Sequence, residues 1–363
     1  MSRPRVVLLR GHGVTPWELR PWEQLRDRFD IVCLVTGSNR FDADTVELET
    51  RRVRALRDLL PRGRFGDLAV LGPGDRYLGL ERQLKDADIV HSLELGIPWS
   101  GQAAALKPKL GFRLVLTAWE TIPLLGTYRR ARGRAYRAQT IPQVDLFLAA
   151  TERARACLLL EGAPEEKIVV CPPGIDVERF ANIDRHPEVV LSIGRLVWEK
   201  GHQDVLRALA AIRGGLVQGQ APRLLIVGSG PDESRLRQYA AELGVADLVE
   251  FEAVPYERMP DLLGRASRLV LASLAIPVWE EQFGMVLAEA MAAGVPIVAS
   301  ASGAIPEVVG DDAELFEPGD WLGLARLLVD GSSRPASPER VARFSTRAAA
   351  ERLADAYERV IRT

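Results

Sequence analysis

Glu281 and Glu289 stand eight residues apart in Trp279-Glu280-Glu281-Gln282-Phe283-Gly284, which runs on into MVLAEAMAAGVP. Eight residues of helix turn about 800°, which would leave two such side chains ~80° apart. The helix is expected to begin near Gly284 and to end at Gly294, with Pro296 beyond it. Glu281 then lies in the entry loop and Glu289 one to two turns in. Free backbone N–H groups at a helix start attract anions. Two carboxylates beside such a start suit a polyhydroxylated ligand that carries phosphate. The carboxylates take sugar hydroxyls, while the amides and the helix dipole take the phosphate. Spacing alone is equally served by a Glu281 that caps the helix and a solvated Glu289.

A second cluster is Gly194-Arg195-Leu196-Val197-Trp198-Glu199-Lys200-Gly201, which follows a strand and opens a helix. A guanidinium fork and a flexible ammonium at one strand end make a diphosphate clamp, or else two solvated cations on a turn. Val227-Gly228-Ser229-Gly230-Pro231 also follows a strand. It lacks the dinucleotide fingerprint, because 231–233 read Pro-Asp-Glu, so no NAD site is expected. Gly11-His12-Gly13 ends the first strand. It either lets backbone approach a ligand or makes a tight turn. Two D-x-D strings, Asp42-Ala43-Asp44 and Asp86-Ala87-Asp88, raise the question of a divalent cation holding a diphosphate. Asp86 and Asp88 precede a strand, the wrong end of a parallel sheet for a ligand, and Asp42 and Asp44 lie in a polar loop. No metal is expected, and no other cofactor. Finally, LLGTYRRARGRAYRAQTIP carries Arg129, Arg130, Arg132, Arg134 and Arg137 with no acidic residue. It is either a solvated basic face or an attractor for anionic lipid headgroups or a phosphate-bearing acceptor.

The elements that must position these residues are legible as apolar runs. EVVLSI, RLLIVG, RLVLAS and VPIVAS alternate with amphipathic stretches in the second half. RVVLL, IVCLV, DIVHS, RLVLT and LFLAA do so less cleanly in the first. Continuous apolar strands separated by helical periods mean a parallel sheet covered on both faces. The reading is two doubly wound α/β domains with a cleft between them, dividing within the polar stretch 175–187. Ligands in such sheets sit beyond the carboxyl ends of the strands. Residues 1–180 hold 28 basic and 23 acidic residues, net +5, and 181–363 hold 19 and 26, net -7. The total of -2 argues against a chain built to bind nucleic acid. Cys33, Cys157 and Cys171 follow no disulfide or metal spacing and suit a reducing cytoplasm. No run is long enough for a signal-peptide core or a membrane span.

Taken in order, PPGIDVERF, SIGRLVWEKG, LLIVGSGP, EEQFGMVLAEAMAAGVPIVAS and SGAIPEVV resemble the donor half of the retaining GT-B glycosyltransferases of family 4, the group 1 transferases. The E-x7-E pair, Glu281 and Glu289, is that family's hallmark. The resemblance implies that Arg195 and Lys200 hold a nucleotide-sugar diphosphate. It implies that Glu289 binds ribose and that Glu281 lies against the donor sugar. Backbone amides at Phe283, Gly284 and Met285 would meet sugar and phosphate. Gly230 would join the donor site, the base would pack near Ala253 and Val254 after an expected strand VEFE, and Gly13 would neighbour the diphosphate from the other domain. It further implies GT-B architecture with two facing Rossmann-like domains. Residues 1–175 would bind the acceptor and 176–345 the donor, and a helix at 346–363 would cross back to the first domain. Trp119 and Glu120 stand where many relatives carry His-Asp. Glu120 would then hydrogen-bond a sugar hydroxyl or the acceptor, and Trp119 would stack on a sugar ring or pack in the core. His91 resembles a family position and is read as structural rather than catalytic.

The implied activity is transfer of a hexose from a UDP- or GDP-linked sugar to an acceptor hydroxyl in glycan, glycolipid or polysaccharide synthesis. Anomeric configuration would be retained by a front-face route without metal. The enzyme would be cytoplasmic, and the arginine segment would be either a solvated face or a contact with the inner membrane face. A phosphorylase or sugar-phosphate synthase on the same scaffold would need a further basic site. A non-catalytic nucleotide-sugar binder would not need the intact Arg195, Lys200, Glu281 and Glu289 set.

Overall fold

The computed structural model describes residues 3–39, 46–60, 70, 74–125, 131–330 and 334–362. The chain packs as two compact units, Met1–Ile175 with Thr346–Thr363, and Asp176–Ser345.

Among the described residues the first unit holds a seven-stranded parallel sheet. Its strands are β1 (Arg5–Gly11), β2 (Asp30–Thr36), β3 (Glu49–Val53), β4 (Ile89–Leu93), β5 (Arg113–Ala118), β6 (Leu146–Ala149) and β7 (Ile168–Val170). Their order is β3-β2-β1-β4-β5-β6-β7. Alternate side chains of each strand face opposite cores. Val7, Leu9, Val90 and Leu116 join one with the helix Pro98–Leu110. Val6, Leu8, Ile89 and Val115 join the other with the helices Pro16–Glu23 and Thr346–Arg362. This two-faced burial is why the strands read as unbroken apolar runs.

The second unit repeats the plan with β8 (Val189–Ile193), β9 (Leu224–Val227), β10 (Val249–Glu252), β11 (Ala266–Leu271), β12 (Ile297–Ser300) and β13 (Glu314–Phe316). The order is β10-β9-β8-β11-β12-β13, again all parallel. In both sheets the strand order reverses beside the first strand, between β1 and β4 and between β8 and β11. Loops leaving the carboxyl ends there diverge and leave room for a ligand. β3, β7 and β13 were not among the expected strands; each lies at a sheet edge.

Candidate active site

The reversal point of the second sheet gathers the strongest sequence signals. Lys200 closes the loop that leaves β8, and Ser273 follows β11. Lys200 Nζ and Ser273 Oγ both donate to Glu281 Oε2, at 2.6 and 2.7 Å. Glu281 is 7% exposed, so this is a buried ion pair whose carboxylate has a second, neutral donor. The Lys200 ammonium also lies 5.1 Å from the Trp279 ring centroid. The backbone of Glu281 is gripped from β12's exit loop: Ala304 N–H donates to Glu281 O at 2.8 Å, and Glu281 N–H to Ser302 Oγ at 3.4 Å. Gly303 has φ +56°, and a Cβ there would meet Glu281 O at 2.1 Å. Only glycine permits this approach.

The helix that follows is Met285–Ala292, opened by Gly284 in the left-handed region. Glu281 therefore precedes the helix, and the ~80° angular argument does not apply to it. Glu289 is in the helix and is not solvated; it is 3% exposed. Its Oε1 accepts from Tyr256 Oη at 2.5 Å. Burial pushes the Glu289 carboxyl above its ordinary value, and the Tyr256 hydrogen bond and the Arg179 charge oppose this. Arg179 Nη2 donates to Tyr256 O at 2.7 Å, with its guanidinium 4.7 Å from the ring centroid. Burial and the nearby carboxylate push the Tyr256 hydroxyl well above its usual range, which keeps it a donor. The two glutamates thus sit in separate settings, one ion-paired and one held by a phenol.

Arg195 is not brought onto the same partner as Lys200. Its side chain is 65% exposed and lies 4.0 Å from Glu199. Phe283 is buried edge-to-face against Phe344, while Met285 is exposed at the first turn. Gly230 touches the backbone of Leu196 too closely for a Cβ. Val254 is half-buried just beyond β10. In the first unit, Gly11 rather than Gly13 carries the positive φ, +68°, and a Cβ there would meet the Trp99 ring. Gly13 is exposed and faces open space.

Glu120 Oε1 accepts from the N–H groups of Thr121 and Ile122 at 2.9 and 2.8 Å, so it shapes its own loop. Trp119 is half-buried, its N–H donating to Glu94 Oε1 at 2.7 Å. His91 is fully buried with both ring nitrogens bonded, to Tyr357 Oη and Thr117 Oγ1, each at 2.7 Å. Burial and the Arg10 charge hold it well below its ordinary pKa, which suits a structural imidazole. Asp88 Oδ2 accepts from Arg5 N–H at 2.6 Å and anchors the start of β1. Asp42, Asp44, Arg129 and Arg130 lie outside the described residues.

The arginine segment needs one correction. It forms the helix Ala131–Thr140 despite Gly133. Arg132 and Arg134 are exposed there, but Arg137 forms an ion pair with Glu161 whose side chains are 11% and 1% exposed. Arg137 turns inward because Glu161, itself buried, needs a counter-charge, so it is not part of a solvent-facing basic surface. Sequence reasoning missed Tyr256, Arg179, Ser273 and His202. His202, next to Gly201, carried the one available signal, a histidine at a helix start.

Residues 176–349 match the model of glycosyl transferases group 1, and residues 20–179 match that of glycosyltransferase family 4. A D-inositol 3-phosphate glycosyltransferase of Corynebacterium jeikeium is 35% identical over 253 residues, covering 61% of this chain and 58% of that protein. Against three relatives of that name, the match spans 55% to 58% of their length. A GDP-mannose-dependent alpha-(1-6)-phosphatidylinositol monomannoside mannosyltransferase of Mycobacterium tuberculosis is 28% identical over 335 residues, 84% of this chain and 76% of that one. Among solved structures, Anabaena HepE in complex with UDP and glucose has a TM-score of 0.75 at 18% identity, covering 98% of this chain and 100% of that one. A Rickettsia africae glycosyltransferase has a TM-score of 0.76 at 15% identity, covering 99% of each chain. Among the described residues no helix is long and apolar enough to cross a membrane. The two family models together span residues 20–349, and the chain belongs to the family 4, group 1 glycosyltransferases, with their GT-B fold of two parallel-sheet α/β domains.

Proposed function

We propose that this protein is a retaining hexosyltransferase that takes its sugar from a UDP- or GDP-linked donor and delivers it to an acceptor hydroxyl without a metal ion. The carrying observation is the buried Lys200–Glu281 pair at the entry of the Met285–Ala292 helix. In that pairing the ammonium neutralises Glu281. A donor diphosphate, arriving at the helix N-terminus, competes for the ammonium and frees Glu281 for a hydroxyl of the sugar. Arg195, exposed on the same loop, closes on the diphosphate from solvent. Glu289, held by Tyr256, takes the ribose hydroxyls, and Val254 and Gly230 border the base. Glu120 of the first unit is assigned to the acceptor.

As the bond from the anomeric carbon to the diphosphate oxygen breaks, negative charge grows on the leaving group. Lys200, Arg195 and the backbone amides at Phe283, Gly284 and Met285 stabilise it. The acceptor oxygen bonds to the same face of the anomeric carbon, and its proton passes to the leaving phosphate oxygen. The GDP-mannose dependence named for the Mycobacterium tuberculosis relative and the UDP-glucose bound in the Anabaena HepE structure keep both bases in the reading. A lipid-linked or phosphate-bearing acceptor fits the exposed Arg132 and Arg134. Transfer is to be followed by NMR with UDP- and GDP-hexoses in excess EDTA. We expect retained anomeric configuration and, for Lys200→Ala, a loss equivalent to about 3–4 kcal/mol at the transition state. An inverted product overturns the mechanism. Loss of activity in EDTA restored by Mn²⁺ or Mg²⁺ overturns its metal independence.

A further inference from the structure

A cavity of about 370 Å³ opens in the second unit between the helices His202–Arg213 and Glu233–Glu242. Trp198, Gln203, Arg207, Asp232, Arg235 and Tyr239 line it, and none of Arg195, Lys200, Glu281 or Glu289 does. Its volume falls within the range of small-molecule sites, roughly 300–1,000 Å³. Trp198 is 41% exposed, an unusual setting for the largest apolar side chain. The Arg235 guanidinium stacks 5.0 Å from its ring centroid and pairs with no carboxylate among the described residues. Arg207 is already committed, to Asp204 at 2.6 Å and to Tyr239 Oη at 2.8 Å, with its guanidinium 5.9 Å from the Trp198 ring centroid.

The chemistry of the occupant follows from one atom. Gln203 is 2% exposed and its Nε2 donates to Trp198 O at 3.1 Å, which fixes the amide's orientation. Its Oε1 is buried with no hydrogen-bond partner. That oxygen calls for a donor. Asp232, at the start of the second helix, makes no side-chain capping bond and presents a further acceptor. Glu242 adds another carboxylate to the lining. A phosphate is an anion and would meet the two carboxylates, Asp232 and Glu242. A sugar offers hydroxyls that both donate and accept, and a ring face that suits an indole.

We infer that this cavity is a saccharide-binding site, separate from the donor site. A pyranose ring lies against Trp198. Its hydroxyls donate to Gln203 Oε1 and Asp232 and accept from Arg235. This inference does not depend on how the donor is bound.

The test is saturation-transfer NMR and titration calorimetry on the full chain with the methyl α-glycosides of glucose, galactose and mannose. At least one is expected to bind, to stay bound in saturating UDP or GDP, and to bind Lys200→Ala equally well. Arg235→Ala and Trp198→Ala should each weaken binding about tenfold or more, as loss of an anchor does. Arg235 is exposed, so its variant keeps the fold, which circular dichroism checks. The proposal is overturned if none of the three glycosides binds or if both variants bind as wild type. It is also overturned if UDP, GDP or inorganic phosphate displaces the sugar.

Discussion

Glu289 is held against its own preference. A carboxylate buried in a helix facing the sheet is costly, and one phenol and one guanidinium only partly offset this. Because its folded pKa is raised above the ordinary 4.5, the folded state keeps an extra proton between 4.5 and that raised value. Stability therefore falls as pH rises through this window, and the penalty is complete above it. Glu289→Gln keeps an acceptor for Tyr256 and removes the charge. We expect it to melt higher than wild type at neutral pH, with the gain vanishing below about pH 4.5, while donor KM rises severalfold and kcat changes less. A variant that melts lower at neutral pH would show that the carboxylate is not a burden. Tyr256→Phe removes the donor and should lower stability by about 1–3 kcal/mol and weaken donor binding in parallel. The glutamates were legible because they share one short segment, and Lys200 because its motif follows a strand. Tyr256 and Arg179 were not. They lie 33 and 110 residues from Glu289, and nothing local in PYERMP or DVERF marks a phenol or guanidinium aimed at a distant carboxylate.

The loop between β8 and the helix His202–Arg213 shows how an element is stiffened from beneath. Leu196 N–H donates to Ser229 O, Asp232 N–H to Leu196 O, and Leu274 N–H to Glu199 O. Below them His202 Nε2 meets Arg195 O at 3.2 Å and Nδ1 meets Ser192 Oγ at 2.8 Å. A carbonyl only accepts, so Nε2 carries the proton and Nδ1 accepts from the serine. This imidazole is neutral when folded; burial lowers its pKa from 6.5 to about 4. The unfolded chain binds the proton first, so stability is complete above pH 6.5 and is lost as pH falls toward about 4. His202→Gln can make both bonds without titrating. In pH-dependent denaturant melts it should flatten the acid slope of the second unit across that window; an unchanged slope would refute the assignment. The central strands were readable as elements because burial on both faces leaves unbroken apolar runs. β3, with sequence ETRRV, was not, because an edge strand tolerates charge on its open side. β7 and β13, three residues each, are too short to show a period.

At the scale of the molecule, the last helix decides whether the first unit is a folding unit at all. Thr346–Arg362 lies 171 residues beyond Ile175, yet Thr346 bonds back to Ile175 O through both its N–H and its Oγ1. Leu353, Ala354, Tyr357 and Val360 complete the core on one face of the first sheet. A buried polar chain fixes the register. Trp22 Nε1–H donates to Tyr357 Oη, Tyr357 donates to His91 Nδ1, and His91 Nε2–H then donates to Thr117 Oγ1, each at 2.7 Å. Each link has one proton to give and one site to fill, so the chain runs in a single direction from helix to sheet. Tyr357→Phe strands the Trp22 donor and the His91 acceptor in the core. It should cost about 2–4 kcal/mol in equilibrium unfolding, at the usual penalty per buried unsatisfied group. Truncation is the sharper test. Residues 176–345 carry their own six-stranded sheet and core, so that fragment should fold alone and melt cooperatively. Residues 1–175 should not. Without the helix, the apolar face formed by Leu8, Ile31, Ile89 and Leu148 is uncovered, and the fragment should bind a hydrophobic dye and aggregate. Adding a synthetic 346–363 peptide should restore a cooperative transition. A 1–175 fragment that melts cooperatively without it would show that the last helix is an accessory to the first unit and not part of its core.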